Sequence, residues 1–244
     1  MVAPPDNDVL WARGLHHSYG QTQALGGVAV GVGEGRILAV RGSRGAGKST
    51  LLRCLSGQLT PREGEVWFDG TPLSALSRRD RERLRLDHFG WVDTEPQLVP
   101  ELTAWENAAL PLLLRGVGHR AARHTAHEWL ERLDVGPCAR RRIAQLDRAE
   151  SQRIAIARAL AAQPRVLFAD DPTAILHRTQ SMQILRTITT AARSHQITVV
   201  LATHEASDTL ADLTVTLDDG RLTGAEGSNA ADGTGSRAQC SLSV

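Results

Sequence analysis

Cysteine, lysine and long apolar runs are what this chain of 244 residues is short of. Its three cysteines, Cys54, Cys138 and Cys240, are odd in number and show no C-x-x-C spacing. That excludes a disulfide framework or a zinc site and points to a reducing, cytoplasmic compartment. No apolar run approaches the roughly 20 residues that span a bilayer, and the N-terminus lacks a charged-then-apolar signal pattern. Neither a membrane span nor a secretory leader is expected, so the chain should be soluble by itself. Twenty-eight basic residues against 27 acidic ones leave a net charge of +1. This is too little for a nucleic-acid binder driven by bulk charge, and no nucleic-acid partner is expected. What is present, 41% hydrophobic residues, suffices for one substantial core with a smaller lobe attached. Residues 1–7 read as a loose leader. From Gly224 onward Gly, Ser, Ala and Asn dominate, so 224–244 is expected to be a flexible, disordered tail.

Lys48 is the one lysine among the 28 basic residues. It stands in Gly42-Ser43-Arg44-Gly45-Ala46-Gly47-Lys48-Ser49-Thr50, the G-x-x-x-x-G-K-[ST] spacing of a phosphate-binding P-loop. Gly45 and Gly47 let the backbone curl until several N–H groups point inward, and the next helix begins with its positive end aimed at the same spot. A compact ammonium on a thin stem suits the end of such a cradle, where a planar guanidinium would crowd it. Ser49 would give its hydroxyl to Mg²⁺. The flanks agree: Arg36 to Val40 is a short apolar strand, and Leu51 to Leu55 is an apolar helix face ending at Gly57.

Val9 to Gly14, Val28 to Val32 and Glu65 to Phe68 read as strands of an antiparallel layer beside this loop. A helical middle follows, in which Ala122, Ala126, Trp129, Leu130 and Leu133 recur on one face of a helix over residues 119–134. Strand and helix then alternate over Arg165 to Ala169, His177 to Ser194, Ile197 to Ala202, Glu205 to Leu210 and Leu213 to Leu217. The spacing predicts an α/β fold: a phosphate-binding core of parallel strands, an antiparallel β layer and an inserted α-helical lobe. Val166 to Asp170 is an apolar strand ending in a carboxylate, the Walker B arrangement that holds Mg²⁺ opposite the P-loop serine. Asp171 follows it, and His204 at the tip of Leu201-Ala202-Thr203 faces the same pocket.

Over residues 9–222 the chain resembles the ATP-binding-cassette ATPases, whose core is of the RecA-like P-loop kind. Ser18-Tyr19-Gly20 is similar to their loop whose aromatic ring stacks on adenine, and Thr60 to Val66 with Asp69-Gly70 is similar to the stretch after their P-loop helix. Leu73 to Val117, with Pro100 to Asn107 and Leu110 to Leu114, resembles the branch serving macrolide export, lipoprotein release and cell-division permeases. The resemblance implies a nucleotide-binding domain over 8–223, with its helical lobe at about 95–160. It also implies ATP and Mg²⁺ as cofactors, a membrane permease as partner, a homodimer or heterodimer of cassettes, and a peripheral position on the inner face of the membrane.

Departures from the family pattern bear on mechanism. Thr94 stands where the Gln-loop glutamine belongs, and Asp171 where the catalytic glutamate belongs. The signature Leu-Ser-Gly-Gly-Gln/Glu is here Leu146-Asp147-Arg148-Ala149-Glu150, and the D-loop's closing aspartate is His177. The frame Gln152 to Leu160 is intact, so the alignment does not slip. A base one methylene short, displaced by about 1 Å, loses on the order of a hundredfold in rate, and Thr94 reaches less far than glutamine toward Mg²⁺ and the attacking water. In the family, the signature meets the γ-phosphate held by the opposite subunit. Asp147 brings a carboxylate there that repels phosphate and can itself cap the helix, an effect that Arg148 can offset by pairing with Asp147 or with phosphate. Three functions stand: a transporter ATPase subunit, a non-hydrolysing regulatory or structural partner of a permease, and a soluble DNA-maintenance cassette. For the last, residues 51–145 leave no room for the usual long insertion. His119, His124, His127 and the mixed run Arg78 to Arg83 read as solvated faces, Trp105 and Trp129 as core.

Overall fold

The computed structural model describes residues 8–204 and 210–227 of the chain. Its frame is a six-stranded sheet in the order β10(Arg221–Gly227), β9(Leu213–Asp218), β3(Ile37–Arg41), β8(Thr198–Thr203), β7(Val166–Asp170), β6(Phe89–Val92). All neighbours are parallel except β10, which runs antiparallel to β9. β7 and β8 are buried at every position and β3 at all but its last, as expected of parallel strands covered on both faces. Their side chains sort by twos. Leu38, Val40, Val166, Phe168, Val200 and Ala202 face one core, while Ile37, Ala39, Leu167, Ala169, Val199 and Leu201 face the other.

The first core lies under an antiparallel sheet ordered β2(Thr22–Gly33), β1(Asp8–Tyr19), β4(Glu63–Phe68), β5(Thr71–Pro72), and α1(Lys48–Leu55) contributes Leu51, Leu52 and Leu55 to it. The second lies under α3(Ala104–Leu114), α4(His119–Arg132), α5(Arg148–Ala161) and α6(Arg178–His195). Each fully buried Leu, Ile or Phe contributes about 1.5–3 kcal/mol relative to exposure. On α4 the apolar face is the expected one: Ala122, Ala126, Trp129 and Leu130, with Leu133 just beyond, are all buried. Trp105 on α3 is only half-buried, its ring edge-on to His119 at 5.4 Å and stacked on the half-buried His127 at 6.4 Å. By contrast α2(Arg78–His88) buries no residue and pairs its charges on itself.

Some boundaries differ from those read in the sequence. β1 and β2 run on past Gly14 and begin before Gly26, because the glycines there sit at register shifts of one long ladder and do not end it. Residues 224–227, expected to open the tail, belong to β10, with Gly224 opposite Thr216 and Gly227 opposite Leu213. Backbone pairing against β9 needs no side chain, so composition gave no sign of it. The rest of the expected tail, the leader 1–7 and most of the helix expected after Glu205 lie outside the described residues.

Two polar side chains set the helical lobe in place. Asn107, wholly buried, accepts from the Val99 N–H at 2.8 Å and donates to the carbonyls of Val99 and Thr103 at 3.0 and 3.1 Å, so it closes the loop that enters α3. Arg115, at the C-terminus of α3, donates to the carbonyls of Leu86, Asp87 and Ala162 at 2.8, 2.7 and 2.5 Å. A cation thus sits where α2, α3 and α5 all end, opposite the negative ends of their dipoles. Removal of Asn107 strands buried partners, so Asn107→Ala should lower stability by about 2–4 kcal/mol. Urea unfolding measures this, and a loss under about 0.5 kcal/mol would contradict the role.

Candidate functional site

The loop 42–47 turns out of β3 and into α1, with Gly47 as the N-cap at φ 101°. A Cβ on Gly47 would lie 2.3 Å from the carbonyl of Ala24, and one on Gly42 2.2 Å from that of Leu217. The loop is therefore wedged between β2 and β9, and no side chain larger than hydrogen fits at either point. Gly220, in the turn from β9 to β10, donates to Ala46 at 3.0 Å and accepts from Gly26 at 2.8 Å, which ties these pieces together.

Lys48 is buried, and burial lowers its pKa against the opposing pull of Asp171 and Asp170. Its Nζ contacts the carbonyls of Gly42 and Ser43 at 2.8 and 3.0 Å and His204 Nδ1 at 3.2 Å. His204 Nε2 lies 2.8 Å from Asp171 Oδ2. With Nε2–H donating to Asp171, Nδ1 accepts from Lys48, and it also lies 3.1 Å from the Gly42 carbonyl, so that oxygen and the ring nitrogen share the one ammonium. The expected catalytic pair Asp171 and His204 is thus drawn into one chain with the P-loop lysine.

Asp170, at the end of β7, is 4% exposed. Burial raises its pKa, Asp171 adds to the rise, and a hydrogen bond from Ser49 Oγ at 3.0 Å opposes it. Asp171 turns out of the strand at φ 47°, a left-handed conformation that aspartate tolerates better than most residues. Its N–H donates to Ala202 at 3.0 Å and its carbonyl accepts from Ala174 at 3.1 Å, so the backbone fixes where its short side chain starts. Thr94, in the position expected to face a cofactor, gives its hydroxyl to the Asp170 carbonyl at 2.9 Å. At the end of β1, Tyr19 is 51% exposed and meets His17 edge-on at 4.9 Å, which holds the ring while leaving surface open.

The stretch 147–150 opens α5. Asp147 is its N-cap, Oδ1 accepts from the Glu150 N–H at 2.7 Å, and Glu150 Oε2 accepts from the Asp147 N–H at 2.9 Å. The box closes on itself. Cys138 donates its thiol to the other Glu150 oxygen at 3.1 Å, with Arg141 3.7 Å away. Ala149 is half-buried, and Arg148 is exposed and forms no ion pair with Asp147 or any other carboxylate among the described residues. No hydrogen bond or ion pair among the described residues joins 147–150 to the P-loop group. Gln152 is a participant that the sequence reading passed over. Wholly buried on α5, it donates to the carbonyls of Asp93, beside Thr94, and Pro172, beside Asp171, at 2.9 and 3.0 Å. A polar residue on an otherwise buried helix face was the only signal of it.

The ABC transporter family matches residues 25–174, more than half of the chain. The lipoprotein-releasing system ATP-binding protein LolD 2 of Caulobacter vibrioides is 37% identical over 219 residues, which is 88% of this chain and 96% of that protein. The ABC transporter ATP-binding protein YtrE of Bacillus subtilis is 33% identical over 185 residues, 76% of this chain and 80% of that one. Among solved structures, the dimeric bacterial ABC transporter cassette MJ0796 superposes with a TM-score of 0.85 at 30% identity, over 89% of this chain and 98% of that one. With a wedged glycine loop, a buried lysine and a strand-end carboxylate on the same two-sheet frame, the chain belongs to the ABC transporter family as an ATP-binding subunit.

Proposed function

We propose that this subunit acts chiefly as an ATP-dependent switch on a membrane permease, binding Mg-ATP and turning it over slowly. The observation that carries the reading is the closed box of Asp147 and Glu150 at the start of α5. In ABC cassettes that helix end meets the γ-phosphate bound by the opposite subunit, and here two of its N–H groups, those of Asp147 and Glu150, are taken by carboxylates that repel phosphate. Asp171 adds to the effect, being a short base whose backbone is already fixed. In a homodimer both changes fall in both sites. In a heterodimer with an ordinary cassette each site carries one set, and neither dimer has an unaltered site.

Nucleotide binding itself is supported by the intact loop. Lys48 is placed to donate hydrogen bonds to phosphate oxygens in place of the Gly42 and Ser43 carbonyls and His204, and Tyr19 offers a ring to the base. Ser49 Oγ and Asp170 Oδ1, 3.0 Å apart, are hard oxygen donors of the number Mg²⁺ takes from protein when phosphates supply the rest, and these two would hold it. The ion would supply charge neutralisation at the β- and γ-phosphates. No helix among the described residues is long and apolar enough to cross a membrane. We place the subunit on the inner face of the membrane through its permease, one of the kind that serves lipoprotein release or macrolide export, in keeping with the likeness to LolD. A non-hydrolysing regulatory role is favoured by the same box and differs only in turnover.

Mg-ATP at about a hundred times its dissociation constant should add about 2.7 kcal/mol, a rise in Tm of about 5–10 °C, and Lys48→Ala should abolish it. Absence of any shift or calorimetric heat at millimolar Mg-ATP would refute nucleotide binding. Turnover is tested by steady-state phosphate release. Asp171→Glu alone, or Asp147→Ser with Arg148→Gly and Ala149→Gly, should recover little, whereas combining them with Thr94→Gln should exceed the sum of the separate gains. A rate of order 1 per second from the unaltered protein would sink the switch reading.

A further inference from the structure

Away from all of these residues, α4 and α6 enclose an open groove of about 1010 Å³. Its inner side is built into the fold: Ile184, Leu185 and Ile188 of α6 sit in the second core. Its outer side follows the other helical stripe, from Met182 through Arg186 and Thr190 to Ser194, facing Trp129 and Arg132 across from it. The ring of Trp129 touches His195 at 5.9 Å, and the Arg132 guanidinium lies 4.8 Å over that ring. Met182 is 37% exposed, so part of the floor is apolar and wet.

The charge on this groove is unbalanced. None of the 18 residues of α6 is acidic, in a chain with 27 acidic residues in 244; the chain average would place about two there. α2 is the contrasting case, an exposed helix in which Arg78 and Arg83 are answered by Glu82 and Asp87 one turn on. Arg132, Arg178 and Arg186 line the groove, and none forms an ion pair among the described residues. Of the nearby carboxylates, Glu128 lies 3.6 Å from His124, and Asp134 accepts from the groove residue Gln183 at 2.6 Å, which leaves one acidic group at the margin against three arginines. Three guanidinium forks, each with the geometry to take a carboxylate two-handed, therefore rim an apolar floor.

We propose that this groove docks an acidic, amphipathic protein segment, a second partner site separate from the nucleotide loop. The volume sits at the upper end of small-molecule pockets, about 300–1,000 Å³, and the groove is open to solvent, which suits a chain segment. Residues 182–194 rise about 18 Å along the helix, matching a helical partner of about a dozen residues laid in the groove. Nucleic acid is the less fitting occupant, because a net charge of +1 lacks the long-range field such binding needs.

The test uses the full chain and a fluorescein-labelled helical peptide of about a dozen residues with glutamate on one face and leucine at i, i+3, i+4 spacing. By anisotropy at about 50 mM salt the peptide should bind saturably, and raising salt to about 0.5 M should weaken it. The double variant Arg132→Glu with Arg186→Glu should bind about tenfold or more weakly. A lysine-for-glutamate peptide should also bind poorly. Equal binding by the double variant, no saturable binding, or stronger binding of a single-stranded oligonucleotide that competes for the groove would overturn the proposal. If the double variant does not melt cooperatively, Met182→Glu, at an exposed position, carries the same expectation. The Mg-ATP thermal shift should persist in every variant, so loss of the groove and loss of nucleotide binding are read separately.

Discussion

The constraint on which the molecule depends is that its central sheet is covered on both faces. β3, β7 and β8 alternate their side chains into two separate apolar cores, so a polar group in mid-strand would be stranded on either side. Chemistry is thereby confined to the strand ends. The glycine loop follows β3, Asp170 closes β7, and His204 follows β8. Because these three strands are parallel neighbours in the order β3, β8, β7, their carboxyl ends emerge side by side, and residues far apart in sequence converge without any loop having to reach for them.

At that edge the electrostatics are held in tension. Burial works against the charged forms of both Lys48 and Asp170; Asp171 and Asp170 favour the ammonium, and the hydrogen bond from Ser49 favours the Asp170 carboxylate. The ammonium leans on carbonyls and on His204, and His204 leans on Asp171. An arriving polyphosphate would meet donors that already have acceptors, and binding there is an exchange of partners. The start of α5 differs, since two of its N–H groups are held reciprocally by the side chains of Asp147 and Glu150, carboxylates of the same turn. Gln152, five residues further on, fastens this same helix to the backbone beside Thr94 and beside Asp171. The two regions are therefore mechanically joined although no polar contact among the described residues links their side chains directly.

What could be read from the sequence was whatever one stretch of chain settles alone. The glycine spacing around Lys48, the apolar run into Asp170, the one-sided face of α4 and the capping by Asp147 each span a few turns or one strand, and all four are in the structure where that reading puts them, whereas the return bond from Glu150 was not read. What escaped it depends on partners distant in sequence. Arg115 reaches carbonyls 28 to 47 residues away, and Gln152 reaches one 59 residues away. β10 exists because β9 offers a free edge, a fact that Gly-Ala-Glu-Gly does not contain. Gly14 and Gly26 mislead for a related reason: glycine marks a bulge and a chain reversal alike, and only the neighbouring strand decides which.

The clasp at Arg115 has a further consequence for movement. Its three carbonyl partners lie at the ends of α2 and α5, while its own backbone ends α3, so one rigid planar group pins the near edge of the helical lobe to the sheet-bearing part of the molecule. A planar fork with fixed donor directions resists sliding far more than it resists a small rotation about itself. Any swing of the lobe, whether driven by a permease at one side or by nucleotide at the other, would take Arg115 as its pivot. Displacement would then be smallest beside α2 and would grow with distance from that point.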